Sequence, residues 1–124
     1  MSHRILIIDD ESDIREVAAL SLETVGGWEV MVASSGMQGL ARAASYRPDA
    51  ILLDVMMPGM DGPTTFRELR KNPTTMDIPV LLLTAKVQAS DQRAFAGLGV
   101  QAVLTKPFDP LTLPKQIAGV LGWD

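Results

Sequence analysis

Three uninterrupted apolar runs frame the chain: Arg4-Ile5-Leu6-Ile7-Ile8, Ala50-Ile51-Leu52-Leu53 and Pro79-Val80-Leu81-Leu82-Leu83. Each has strand length, and each stops at polar groups, Asp9-Asp10-Glu11, Asp54 and Thr84 respectively. Runs without alternation predict strands buried on both faces, as central strands of a parallel sheet are. Two further segments are weaker. Trp28-Glu29-Val30-Met31-Val32-Ala33 alternates only loosely, as an edge strand does. Val100-Gln101-Ala102-Val103-Leu104-Thr105-Lys106 carries Gln101 and ends in an amine before Pro107.

Helical spacing fills the intervals. Ile14, Val17, Ala18, Ser21, Leu22 and Val25 share one face over residues 12–25, with Ser12 or Asp13 as N-cap. Gly26-Gly27 supplies a left-handed stop. Ser35 and Gln38 fit a capping box for a second helix that ends near Tyr46, ahead of Pro48. A third helix runs from about Pro63 to Lys71 and a fourth from Ser90 to Leu98. The fifth begins near Asp109 and reaches Leu121. Pro114 removes a backbone donor there, so an alternative register caps at Thr112 and takes Pro114 into the first turn.

Strands alternating with helices predict an α/β fold, a doubly wound (βα)5 sandwich with helices on both faces of a five-stranded parallel sheet. Strands one, three and four belong at the centre, strands two and five at the edges. The flavodoxin-like order 2-1-3-4-5 meets both conditions and puts the switch point between strands one and three. Asp9, Asp10 and Asp54 then line one crevice, with Thr84 and Lys106 on the same rim.

Composition narrows the chemistry. A chain of 124 residues, 47% hydrophobic and 21% charged, makes one globular domain over residues 1–124. It has no cysteine and a single histidine, His3, which excludes thiolate chemistry and multi-histidine metal sites. The net charge of −4 argues against nucleic acid as a direct partner. No apolar run approaches the ~18 residues of a membrane span, and with Met1-Ser2-His3-Arg4 leading straight into a strand no signal peptide is expected. The expected location is the cytoplasm, without membrane insertion.

Three ionised carboxylates ~5 Å apart repel by roughly 3 kcal/mol per pair at an effective dielectric near 20. A hard divalent cation relieves that repulsion, and Mg²⁺ suits a site with few carboxylates and several waters. Lys106 brings a second, mobile positive charge. The bland alternative is that Asp9 or Asp10 merely caps the first helix. Asp54 has two roles open to it, metal ligand or nucleophile on phosphorus. Phosphoryl transfer needs in-line positioning and cations where charge gathers, which Mg²⁺ and Lys106 would supply. The Thr84 hydroxyl could donate to a phosphoryl oxygen, and the small Ala85 leaves the approach open.

The motifs Ile7-Ile8-Asp9-Asp10-Glu11, Leu53-Asp54-Val55-Met56-Met57-Pro58-Gly59-Met60-Asp61-Gly62, Leu83-Thr84-Ala85 and Lys106-Pro107-Phe108 together resemble a two-component response regulator receiver domain. The resemblance covers nearly the whole chain, and chemotaxis members of the family share the 2-1-3-4-5 order. It implies Asp54 as phosphoacceptor, charged by a sensor histidine kinase or a histidine phosphotransfer protein. It implies Mg²⁺ on Asp9, Asp10, Asp54 and the backbone carbonyl of Met56. Lys106 would pair with Asp54 or its phosphate, Thr84 would move toward the phosphoryl group, and Lys106-Pro107 would be cis. Slow loss of the acyl phosphate would make the domain a self-resetting switch rather than a turnover enzyme. Met56 and Lys86, two residues past Asp54 and Thr84, would tune that lifetime.

One position departs from the family pattern. Three residues before the lysine, where an aromatic residue often reports on the threonine, stands Val103. A weaker or rerouted change is therefore expected on the face of the fourth helix, fifth strand and fifth helix. Met56 stands where haloacid dehalogenase hydrolases need a second aspartate, and the acidic Asp9-Asp10-Glu11 loop would repel a flavodoxin's phosphate. Output is expected through a downstream protein target, from a stand-alone regulator. The alternatives are the receiver segment of something longer and an interaction module that works without phosphorylation.

Overall fold

A computed structural model describes residues 3–85 and 88–123. Its strands are β1 (Arg4–Ile8), β2 (Glu29–Ala33), β3 (Ala50–Asp54), β4 (Val80–Thr84) and β5 (Ala102–Thr105). The helices are α1 (Ser12–Leu20), α2 (Gly36–Tyr46), α3 (Gly62–Lys71), α4 (Ala89–Ala96) and α5 (Leu113–Leu121). All strand pairs are parallel and the order is β2-β1-β3-β4-β5, as the apolar pattern predicts. Every residue of β3 and β4 is buried, whereas β5 is only half-buried and ends exposed.

Side-chain alternation splits the core into two layers. Leu6, Ile8, Ile51 and Leu53 pack with Ala43 of α2 and with Phe66 and Leu69 of α3 on one face. Ile5, Ile7, Leu52 and Leu83 pack with Ala18 of α1, Leu22, and Leu113 and Ile117 of α5 on the other. With Phe95 of α4 packed against the α2–α3 layer, three helices cover that face and α1 and α5 the other, so the sheet is a rigid platform for its carboxyl-end rim. At the opposite pole the His3 ring stacks on Trp123 at 3.8 Å, and Trp28 meets Trp123 edge-on at 5.1 Å.

Several boundaries differ from the sequence expectation. α1 is capped at Glu11, not Ser12 or Asp13, without a side-chain bond to the helix, and its last stretch, Ser21–Val25, is a π-helical turn. The Ser21 hydroxyl there donates to the Pro110 carbonyl, a tertiary contact that local spacing cannot reveal. Gly27, at φ 72°, makes the left-handed stop. α5 starts at Leu113 with Thr112 as N-cap, so the register that absorbs Pro114 prevails over a start at Asp109. The Ser35 hydroxyl accepts from Gln38 N at 3.1 Å, while the Gln38 side chain reaches back to Ser34 N, one residue beyond a standard capping box.

These assignments order the expected losses. Ser35→Ala should destabilise the domain by about 1 kcal/mol through the lost cap. Leu52→Ala, in a central strand, should cost about 2–5 kcal/mol. Urea unfolding midpoints test this, and a larger loss at Ser35 would contradict the central place given to β3.

Candidate functional site

The rim at the carboxyl ends of the strands is built by backbone bonds that carry the sheet ladder past its last residues. Asp9 N donates to Ala33 O at 3.1 Å, Val55 N to Leu83 O at 3.2 Å and Lys106 N to Thr84 O at 2.9 Å. Asp9, Asp54 and Lys106 therefore leave the sheet at fixed points. Thr84 sits across from Thr105 in the register, and Asp54 across from Leu83. The Lys106-Pro107 bond is cis.

One amine holds the acids together. Lys106 Nζ lies 3.1 Å from Asp54 Oδ1, 3.0 Å from Asp9 Oδ2 and 3.2 Å from Glu11 Oε1. Asp9 and Asp54 are 1% and 3% exposed and the neighbouring Thr84 is buried, so these two charges meet Lys106 largely out of water, whereas Glu11 is exposed. Burial, and then the Asp9 carboxylate, push the Asp54 carboxyl up to about 6 against the pull of Lys106. Burial draws the Lys106 ammonium down, but its bonds to Asp9 and Asp54 outweigh that and raise it. Both shifts state the same imbalance: one cation serves several carboxylates.

The expected residues converge. Asp9, Asp10, Glu11 and Asp54 each offer an oxygen, and these atoms all lie within 4.8 Å of one another. Asp54 Oδ2 and Asp10 Oδ1 are buried without a hydrogen-bond partner, and Asp9 Oδ2 has only its charge contact with Lys106. Orphaned anionic oxygens facing one another fit a small oxygen-seeking cation, and Mg²⁺ meets that description. Asp9 Oδ1 also accepts from Glu11 N at 2.9 Å, a local turn ahead of α1 rather than a cap on the helix itself. Met56 is 67% exposed beside the cluster, whereas Lys86 lies outside the described residues.

Two contributors were not singled out from the sequence. Glu11 shares Lys106, and Arg15 donates to the Asp9 carbonyl at 2.7 Å. The first was visible as the third acid of the Asp9-Asp10-Glu11 run. The second needed the helix, because only a turn of α1 brings Arg15 back over residue 9. Val103 pairs with Leu82 in the register and packs half-buried against the α2–α3 side of the core.

Comparison with known proteins agrees with this geometry. The chain is 44% identical over 118 residues to the DNA-binding dual master transcriptional regulator RpaA of Synechocystis, covering 95% of this chain and 48% of that protein. It is 39% identical over 117 residues to the phosphate regulon transcriptional regulatory protein PhoB of Pseudomonas aeruginosa, covering 94% and 51%. The chain thus spans about half the length of the curated relatives it matches. Chemotaxis protein CheY4 of Vibrio cholerae superposes with a TM-score of 0.89 at 32% identity, covering 97% of this chain and 99% of that one. Among the described residues no helix is long and apolar enough to cross a membrane. Residues 5–118 match the model of the response regulator receiver domain, and the chain belongs to that family.

Proposed function

We propose that residues 1–124 form a phosphorylation-activated receiver domain in which Asp54 is the phosphoacceptor. Receiver domains are phosphorylated by sensor histidine kinases and generally bind Mg²⁺ at an acidic pocket. The observation that carries the reading here is the buried Asp54 carboxylate, with one oxygen on Lys106 and the other unpartnered beside Asp9 and Asp10.

In this reading an Asp54 oxygen attacks the phosphorus of a phosphohistidine. The new O–P bond forms as the P–N bond breaks, and the imidazole leaves with the electron pair. Asp9, Asp10, Asp54 and the Met56 carbonyl would hold Mg²⁺. Bound there, the metal supplies positive charge to the phosphoryl oxygens. Lys106, already at Asp54, follows the charge onto the phosphoryl group as a compact cation. The Thr84 hydroxyl, on the neighbouring strand, donates to a phosphoryl oxygen. Water later cleaves the acyl phosphate and returns the switch to rest. The phosphorylated form signals by docking to a downstream protein.

Incubation with acetyl phosphate and Mg²⁺ should add one phosphoryl group by intact mass, absent in Asp54→Asn and when EDTA replaces Mg²⁺. An unmodified wild-type protein would leave the interaction module as the better reading.

The raised Asp54 carboxyl predicts a pH signature. A carboxyl whose folded value lies above its unfolded value costs nothing below the unfolded value, where both states are protonated. The cost grows as pH rises and is complete above about 6. In EDTA at about pH 7.5, Asp54→Asn should therefore stabilise the domain by on the order of 1–3 kcal/mol, and the gain should vanish near pH 4. Urea titrations at the two pH values measure it. A variant less stable than wild type at the higher pH would refute the strain assigned to Asp54.

Val103 gives the output side its own test. Beryllofluoride with Mg²⁺ should perturb amide resonances of α4, β5 and α5 less in wild type than in Val103→Tyr. Equal perturbation would show that the aromatic position is dispensable for the response.

A further inference from the structure

The segment after Asp54 closes on itself where α3 begins, with Gly62 N donating to Val55 O at 2.9 Å. Gly62 is buried and has no positive φ, so glycine is not needed there for its backbone conformation. What it supplies is space. A Cβ at position 62 would overlap the Asp54 carbonyl oxygen and stand 2.8 Å from the Val55 Cα and 3.2 Å from the Asp54 carbonyl carbon. All three are backbone atoms, so no rotamer change relieves the contact.

Both sides of that contact are held, so a clash cannot be absorbed by one of them alone. α3 is anchored by Phe66 and Leu69, buried in the core. Its first turn is tied down by Asp61, whose side chain accepts from Thr64 N and whose carbonyl accepts from Thr65 N and Oγ1. On the other side, Val55 is buried in the same core layer and its N makes the last ladder bond of β3, after which the chain leaves the sheet. A methyl group at 62 therefore strains the close approach at the Asp54–Val55 peptide, the unit that carries the Asp54 carboxylate and leads into Met56, and any relief shifts that peptide relative to α3.

We propose that Gly62 is a positioning residue of the phosphoryl site: its missing Cβ lets α3 close on the Asp54–Val55 peptide and sets the Asp54 carboxylate against Lys106 and the acidic cluster. This rests on the reading of Asp54 as phosphoacceptor. A displacement of about 1 Å at a reacting group can cost about a hundredfold in rate, so the effect should be large.

The test compares wild type, Gly62→Ala and Ile117→Val in the full chain. Ile117→Val trims the core on the far face of the sheet and lowers the melting temperature without touching the loop. The readouts are the Mg²⁺ dissociation constant by calorimetry and the rate of phosphorylation by acetyl phosphate at saturating Mg²⁺. Gly62→Ala should weaken Mg²⁺ binding and slow phosphorylation by about tenfold or more each. Ile117→Val should leave both close to wild type.

A folded Gly62→Ala with wild-type values, or equal losses in Ile117→Val, overturns the proposal. If Gly62→Ala does not fold, Asp61→Ala, which loosens the first turn of α3, takes its place. A raised Mg²⁺ dissociation constant together with slower phosphorylation then supports the positioning role, and unchanged values overturn it. A wild-type protein that takes no phosphoryl group fails in its own lane, and refutes the phosphoacceptor reading together with this inference.

Discussion

Everything at the rim follows from one constraint: two carboxylates held out of water share a single amine with a third at the surface. Lys106 cannot neutralise Asp9, Asp54 and Glu11 at once, and the raised Asp54 carboxyl records the shortfall. A site left in electrostatic deficit gains from any ligand that brings positive charge or redistributes the negative charge. The resting state is poised because it is unsatisfied. A surface cluster of the same composition would be screened by water and would respond little.

Such a deficit persists only on a scaffold that cannot relax around it. β3 and β4 are buried throughout, and each lies between two parallel neighbours with helices on both faces. The ladder bonds at Asp9, Val55 and Lys106 extend that rigidity one residue past the strands. Hydrophobic burial in the two core layers thus offsets the strain at the rim, and each acid sits where a central strand ends.

The two flanks of the sheet differ in how firmly they are tied. α5 is keyed to the end of α1 through Ser21 and Pro110 and contributes Leu113 and Ile117 to the core. α4 buries no residue fully and starts at Gln88 without a side-chain cap. Val103, within the edge strand β5, leaves less side-chain mass between the two flanks than a large ring would. The lightly packed α4 is the element with least to lose by shifting.

The order of the strands, the burial of the central three and the arrival of Asp9, Asp10, Asp54, Thr84 and Lys106 at one rim were legible in the chain. Uninterrupted apolar runs admit few arrangements, and each run stops at the polar group it delivers to the rim. Local chemistry likewise announced the Ser35 cap and the stop at Gly27. Other features were decided only by the packed structure. The π-helical turn at Ser21–Val25 answers to the Pro110 carbonyl, 89 residues away. Local propensity allows α5 two starting registers, and the burial of Leu113 in the core selects the one capped at Thr112. The sharing of Lys106 among three acids and the clearance at Gly62 are distances between segments far apart in sequence. Periodicity reports which face of an element is buried. How close two backbones come, and how one charge is divided among several partners, depends on the whole fold at once.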